Sequence, residues 1–188
     1  YVKEIAMGRI AKSEIDRLFT QQLEQWTQAR DNYRALEHVE QKSVCVNGLD
    51  VVVQFNPARI VSSGAKVDAK TIQTRKCFLC EQNRPEVQWG IDFKSAAGRT
   101  YQVLLNPFPI FPRHLTIPDA SHTDQRIEGR VADMLELAAE LDDFVLFYNG
   151  PKCGASAPDH MHFQAGNKGF LPLEMRFPEL PRRDFLVT

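Results

Sequence analysis

The chain has 188 residues, 43% of them hydrophobic, and a formal net charge of −1. That is enough for one domain, or one domain with an attached helical segment, and for a sizeable core. Such a charge gives no overall field for nucleic acid or an anionic membrane, so any anion binding must be local. The longest apolar stretches fall far short of a membrane span, and the start, Tyr1-Val-Lys-Glu-Ile-Ala-Met7, lacks the parts of a signal peptide. Because the first residue is not Met, we expect a trimmed N-terminus or a piece of a longer protein. The cysteines, one Cys-x-x-Cys pair with Cys45 and Cys153 alone, do not form the framework of a small secreted domain, and a cytoplasmic location is expected.

Ser13-Glu-Ile-Asp16 reads as a capping box with Asp in place of Glu, and Ile15, Leu18, Phe19, Leu23, Trp26, Tyr33 and Leu36 recur near helical spacing. One long amphipathic helix to about Leu36 is predicted, within a helical segment 1–42 that packs on a main domain 43–188. Ser43–Val46, Asn47-Gly48 and Leu49–Phe55 predict a β-hairpin, since Asn-Gly supplies the positive φ angles of a tight turn. Residues 60–76 are polar and small and read as a loop over the site; Lys66, Lys70, Arg75 and Lys76 give it a solvated charge run.

Cys77-Phe-Leu-Cys80 has the spacing at which one turn offers two thiolates to a tetrahedral ion, and also the spacing of a redox pair. No strand and helix flank it as in a redox βαβ unit, and Glu81–Arg84 with Pro85 suggests a knuckle. Tyr101–Leu105 is a buried-strand candidate. Asn106–His114, with three prolines, belongs at an edge or rim, and Leu115–Pro118 is a short strand. Ser121-His-Thr-Asp124 caps a second helix with Ile127, Val131, Met134, Leu135, Ala138 and Leu141 inward, His122 lying exposed in its first turn. Phe144–Tyr148 and Phe170–Glu174 read as strands, and Pro-Arg-Arg-Asp at 181–184 as an exit. This order of elements predicts an α+β domain with a mainly antiparallel sheet.

The stretch Asn149–Ala165 carries the chemistry. His160, His162 and Gln164 alternate behind a small-residue loop, Gly154-Ala155-Ser156-Ala157, so in an extended strand the three would line one wall while Met161 and Phe163 face the core. A neutral imidazole is a competent nucleophile, an amide donates to a developing oxyanion, and a small-residue turn lets backbone N–H groups approach phosphate. Substitution at phosphorus suits such a wall.

His160-Met161-His162-Phe163-Gln164 resembles the His-x-His-x-Gln signature of the galactose-1-phosphate uridylyltransferase branch of the histidine-triad superfamily, which also holds dinucleoside tetraphosphate phosphorylases and GDP-galactose phosphorylases. The likeness runs from about Gln54 to Glu174 and includes Asn149 with Gly154-Ala155-Ser156. It implies a histidine-triad-like sheet, and a nucleotidyl-histidine formed on His162 from a dinucleoside polyphosphate or nucleotide sugar. His160 and Gln164 would assist, and Asn56, Arg59, Asn149, Gly154, Ala155 and Ser156 would bind substrate. Phosphate or a sugar phosphate is the implied acceptor, and a homodimer the implied assembly. Zinc-holding members imply a structural Zn2+ on Cys77, Cys80, His114 and His160. Ala157-Pro158-Asp159 departs from the branch, whose connection is shorter, and points away from a plain uridylyltransferase. A histidine-triad hydrolase and a non-catalytic, zinc-stabilised nucleotide-binding module are the alternatives.

Overall fold

The computed structural model describes residues 10–60, 64 and 66–179. Helices α1 (Lys12–Gln25) and α2 (Thr27–Leu36) lead into a hairpin of β1 (Glu40–Val46) and β2 (Leu49–Phe55), then a short helix α3 (Ala69–Thr74). β3 (Gly90–Lys94), β4 (Thr100–Leu105), β5 (His114–Pro118), helix α4 (Val131–Glu140), β6 (Phe144–Phe147), β7 (His162–Asn167) and helix α5 (Pro172–Arg176) follow. The class is α+β: a five-stranded sheet in the order β3-β4-β5-β7-β6, antiparallel throughout, with a separate two-stranded sheet and flanking helices.

One face of the five-stranded sheet is closed by helices. Tyr101, Val103, Leu105, Leu115, Ile117, Phe163 and Ala165 join Ile15, Leu18, Phe19, Ala29 and Tyr33 of the first two helices and Leu137 of α4 in a single cluster. Each large side chain so buried contributes about 1.5–3 kcal/mol. By register, Pro118 stands opposite His162, Thr116 opposite Gln164 and His114 opposite Gly166. Cross-strand partners share a face, so these residues, with Phe147, form the other face. The pleat thus assigns apolar positions to the core and His114, His162 and Gln164 to the side away from it.

Several expected elements differ. The first helix is two, divided at Trp26, whose extended backbone (φ −106, ψ 95) breaks the spiral while its indole stays buried. The cap is Ala11, not Ser13, and the Glu14 carboxylate accepts the Ala11 N–H at 3.0 Å. Within 60–76, residues 69–74 are helical because Asp68 accepts the Thr71 N–H at 3.0 Å; residues 61–63 and 65 lie outside the described residues. The second helix begins at Val131, and 121–130 forms an irregular segment. Phe170–Glu174 opens a helix, since Pro172 occupies the first turn and Glu174 accepts the N–H groups of Leu171 and Gly169. The exit at 181–184 lies outside the described residues. The hairpin forms as read, Asn47 (φ 51) and Gly48 (φ 77) both adopting the positive angles its turn requires. Among the described residues no helix is long and apolar enough to cross a membrane.

Candidate active site and metal centre

The signature strand begins at His162, so His160 stands in the turn before it rather than on the same wall as His162 and Gln164. Its N–H donates to Ala157 O at 3.2 Å, and its buried ring turns to the knuckle. His160 Nε2 lies 2.8 Å from Asp119 O. A carbonyl only accepts, so Nε2 carries the proton and Nδ1 presents a lone pair. That lone pair faces Cys77 Sγ at 3.3 Å and Cys80 Sγ at 3.6 Å.

The fourth member is His122, whose Nδ1 is 3.2 Å from Cys80 Sγ. Cys77, Cys80, His122 and His160 offer donor atoms that all lie within 4.8 Å of one another, a group that can hold a metal ion. Two sulfurs and two imidazoles suit zinc, whose bond lengths of about 2.0–2.3 Å in tetrahedral geometry separate neighbouring donors by roughly 3.6 Å. The backbone carbonyl behind His160 is the outer partner that such ligands use to fix ring and tautomer. Burial alone would raise the Cys77 thiol, but the His160 ring and the N–H groups of Leu79 and Cys80 outweigh it and bring the pKa to about 6. Burial, and then Cys77, push Cys80 up to about 11.

The expected ligand His114 is not in this group. It is buried on β5, with Nδ1 accepting the Ile110 N–H at 3.2 Å and Nε2 at 3.0 Å from Gln164 Oε1. Both ring nitrogens are already engaged, which leaves no lone pair for an ion. Its place is taken by His122, exposed as read from the sequence but carried over the knuckle by the irregular segment that replaces the expected helix start.

His162 is buried, and its Nδ1 lies 2.8 Å from His160 O. By the same logic Nδ1–H donates, and Nε2 keeps a free lone pair. Burial lowers its pKa, while the His160 carbonyl opposes this. The backbone of His162 is held by a residue with no signal in the sequence. Gln125, fully buried, accepts the His162 N–H on Oε1 at 2.7 Å and donates from Nε2 to His162 O at 3.0 Å and Asn149 O at 2.9 Å. Phe147 pairs with Gln164, so the next rung would set Asn149 against His162; the Gln125 amide occupies that rung and splays β6 from β7. Asn149 and the loop beyond it are thereby tied to the His162 backbone. In that loop Gly154 has φ +86 with open space around it, Ala155 is buried and Ser156 half-buried.

Asn56 and Arg59 line a different part of the face, a cleft of about 610 Å³ between β2 and α5. Val51, Val52 and Gln54 form the same wall, and Phe111, Phe170 and Leu171–Leu173 the other. Asn56 Nδ2 donates to Pro109 O at 3.3 Å, while its buried Oδ1 has no partner among the described residues. Phe111 connects this cleft to the signature: its ring lies 4.9 Å from Phe170 and 5.6 Å from Phe147, and a Cβ on Gly166 would come within 2.4 Å of it. Only glycine fits there.

Beneath the knuckle, Asp119 pairs with Arg130, which also donates to Tyr101 OH at 2.9 Å; Tyr101 donates to Asp133 Oδ2 at 2.6 Å, and Arg99 pairs with the same oxygen. Beside the knuckle, Arg75 pairs with Asp159 and stacks over Phe78 at 5.1 Å.

A family model described as "Domain of unknown function (DUF4922)" matches residues 18–167. The chain belongs to this family. The DUF4922 match contains every residue placed above in the knuckle, the signature and its loop. No curated protein matches the chain. Among solved structures it is similar to yeast Ap4A phosphorylase Apa2 in complex with AMP, at 21% identity and a TM-score of 0.46 over 81% of this chain and 52% of that one. It is also similar to yeast Ap4A phosphorylase Apa2 in a second structure, at 21% identity and a TM-score of 0.43 over 86% and 53%. The DUF4922 chain thus spans about half the length of these structures.

Proposed function

We propose that the chain is a nucleotidyl transferase or phosphorylase of the histidine-triad type, acting on a dinucleoside polyphosphate or nucleotide sugar by double displacement at His162. The observation that carries this reading is the single-tautomer His162 ring, its Nδ1–H spent on His160 O and its Nε2 lone pair left over, beside the Gln164 amide on the same strand face. Nε2 attacks the α-phosphorus; the N–P bond forms as the P–O bond to the leaving nucleoside polyphosphate or sugar phosphate breaks, that oxygen keeping the electron pair. The acceptor oxygen then attacks the phosphorus, and the P–N pair returns to Nε2. Gln164 and the N–H groups of Gly154–Ser156 hold the non-bridging oxygens. Asn149 anchors that loop, and Asn56 and Arg59 bind the remainder of the substrate in the cleft.

Zn2+ on Cys77, Cys80, His122 and His160 is a structural part of this proposal. It would bind the ring of His160 and brace the turn whose carbonyl orients His162. Every chemical step belongs to side chains and backbone groups.

Product analysis with diadenosine tetraphosphate, with and without inorganic phosphate, tests the reading. Phosphate-dependent release of ADP is the expected result. AMP irrespective of phosphate would instead make the protein a hydrolase, and tight binding with no product a nucleotide-binding module.

A further inference from the structure

His114 is fully buried, bonded at both ring nitrogens and outside the cysteine cluster, so the functional reading above leaves it without a task. Its Nδ1 accepts the Ile110 N–H at 3.2 Å, which assigns the ring proton to Nε2. Nε2 is 3.0 Å from Gln164 Oε1, and an amide oxygen cannot donate. One neutral tautomer therefore satisfies both bonds. Burial, and then the nearby Arg59 guanidinium, hold its pKa down at about 3, so no second proton arrives near neutral pH. The ring is held by its two hydrogen bonds, by full burial and by Phe111 standing edge-on at 5.4 Å, while the His114 carbonyl, accepting Tyr33 OH at 3.1 Å and the Asn106 N–H at 2.9 Å, fixes the backbone beneath it.

The two ends of a glutamine amide have the same shape, and a half-exposed one is free to flip. A flipped Gln164 would present an oxygen, not N–H groups, to phosphate. We infer that His114 is a positioning residue for transfer: by fixing Gln164 Oε1 it aims the Gln164 Nε2 hydrogens at the phosphate oxygens beside His162. The inference rests on the proposed nucleotidyl transfer. Gln164 Nε2 makes no hydrogen bond among the described residues, and His162 lies two positions along the same strand face, roughly 7 Å away.

Two experiments on the full chain test this. Nitrogen–proton correlation spectra of histidine-labelled protein read the tautomer. A neutral His114 with Nε2–H between about pH 8 and pH 5 is expected; an Nδ1–H ring or an imidazolium overturns the inference. The second reads the rate of nucleotide adduct formation from diadenosine tetraphosphate. His114→Phe is expected to slow it about tenfold, less than the roughly 10²–10³-fold cost of deleting an oxyanion donor. His114→Gln, which puts an amide N–H where the Nε2–H was, should restore the rate to within about threefold, and in a Gln164→Ala background His114→Phe should change nothing further. Equal slowing in both backgrounds, or no rescue by His114→Gln, overturns the positioning role. If His114→Phe does not fold, His114→Leu, which also removes the ring donor, takes its place in both backgrounds with the same expected and overturning results. A correct tautomer in a wild type that forms no adduct from any tested donor refutes the transfer reading, and the positioning role with it, while the hydrogen bond stands.

Discussion

His160 and His162 are two residues apart in one signature and live in opposite chemistries. His160 faces two sulfurs, and although burial works against it, the hydrogen bond with Cys77 raises its pKa; His162 faces no anionic partner of that kind, and burial lowers its pKa. The break between turn and strand at His162 separates them, sending one ring to the knuckle and the other to the sheet face away from the helices. Residue type alone therefore decides little. What each imidazole does follows from which nitrogen a carbonyl has claimed and what the other nitrogen meets.

Removing the sheet-face ring should have the largest effect. His162→Ala is expected to reduce nucleotide transfer by more than about 10³-fold, as loss of a nucleophile does, with little change in a urea unfolding midpoint. Removing the knuckle ring should act on metal instead. His122→Ala is expected to lower zinc affinity by more than the roughly 10–100-fold typical of outer-sphere partners, read by competition with a chromophoric chelator, whereas His114→Gln should leave zinc content unchanged. The reverse pattern would restore His114 as the ligand and dissolve the distinction.

Gln125 links the two sides, and Gln125→Leu would leave the His162 N–H, His162 O and Asn149 O without their partner. We expect a cost of about 3 kcal/mol in equilibrium unfolding, since each buried orphan costs about 1–3 kcal/mol and some reach water.

The pH dependence sharpens the same contrast. An unfolded His114 takes up its proton near pH 6.5, but the folded one not until about 3. Its contribution is therefore complete above pH 6.5 and is lost as pH falls below it, at up to about 1.4 kcal/mol per pH unit. The difference between wild type and His114→Gln in unfolding free energy should follow that slope. The smallest effect expected is from Gly154→Ala, where φ is +86 and no neighbour intrudes: a conformational cost of about 1 kcal/mol, visible as a small drop in melting temperature.

Much of this was legible where the signal is local. Asn47-Gly48 dictates its turn, Cys77-x-x-Cys80 its knuckle, and the alternation through Met161–Ala165 the face on which His162 and Gln164 lie. The class, α+β with an antiparallel sheet, followed from element order. What failed depended on distant partners. His122 joins the knuckle because residues 121–130 remain irregular, while the apolar stripe beginning at Ile127 read as an earlier helix. His114, implied as a ligand by the family likeness, lies outside the cysteine group, because a likeness that places a His on a strand does not say which way its ring nitrogens face. Gln125 fills a missing rung between strands that only the folded sheet reveals. Phe170–Glu174 is a short apolar run that reads as a strand, and the helix won because Pro172 occupies and Glu174 caps its first turn.

The most direct test of the account is intact-protein mass after incubation with diadenosine tetraphosphate and GDP-, UDP- and ADP-sugars, quenched at alkaline pH where a phosphohistidine bond survives. A nucleoside-monophosphate adduct on the wild type that is absent from His162→Ala is the expected result. No adduct from any donor, or an adduct that persists in His162→Ala, would contradict it.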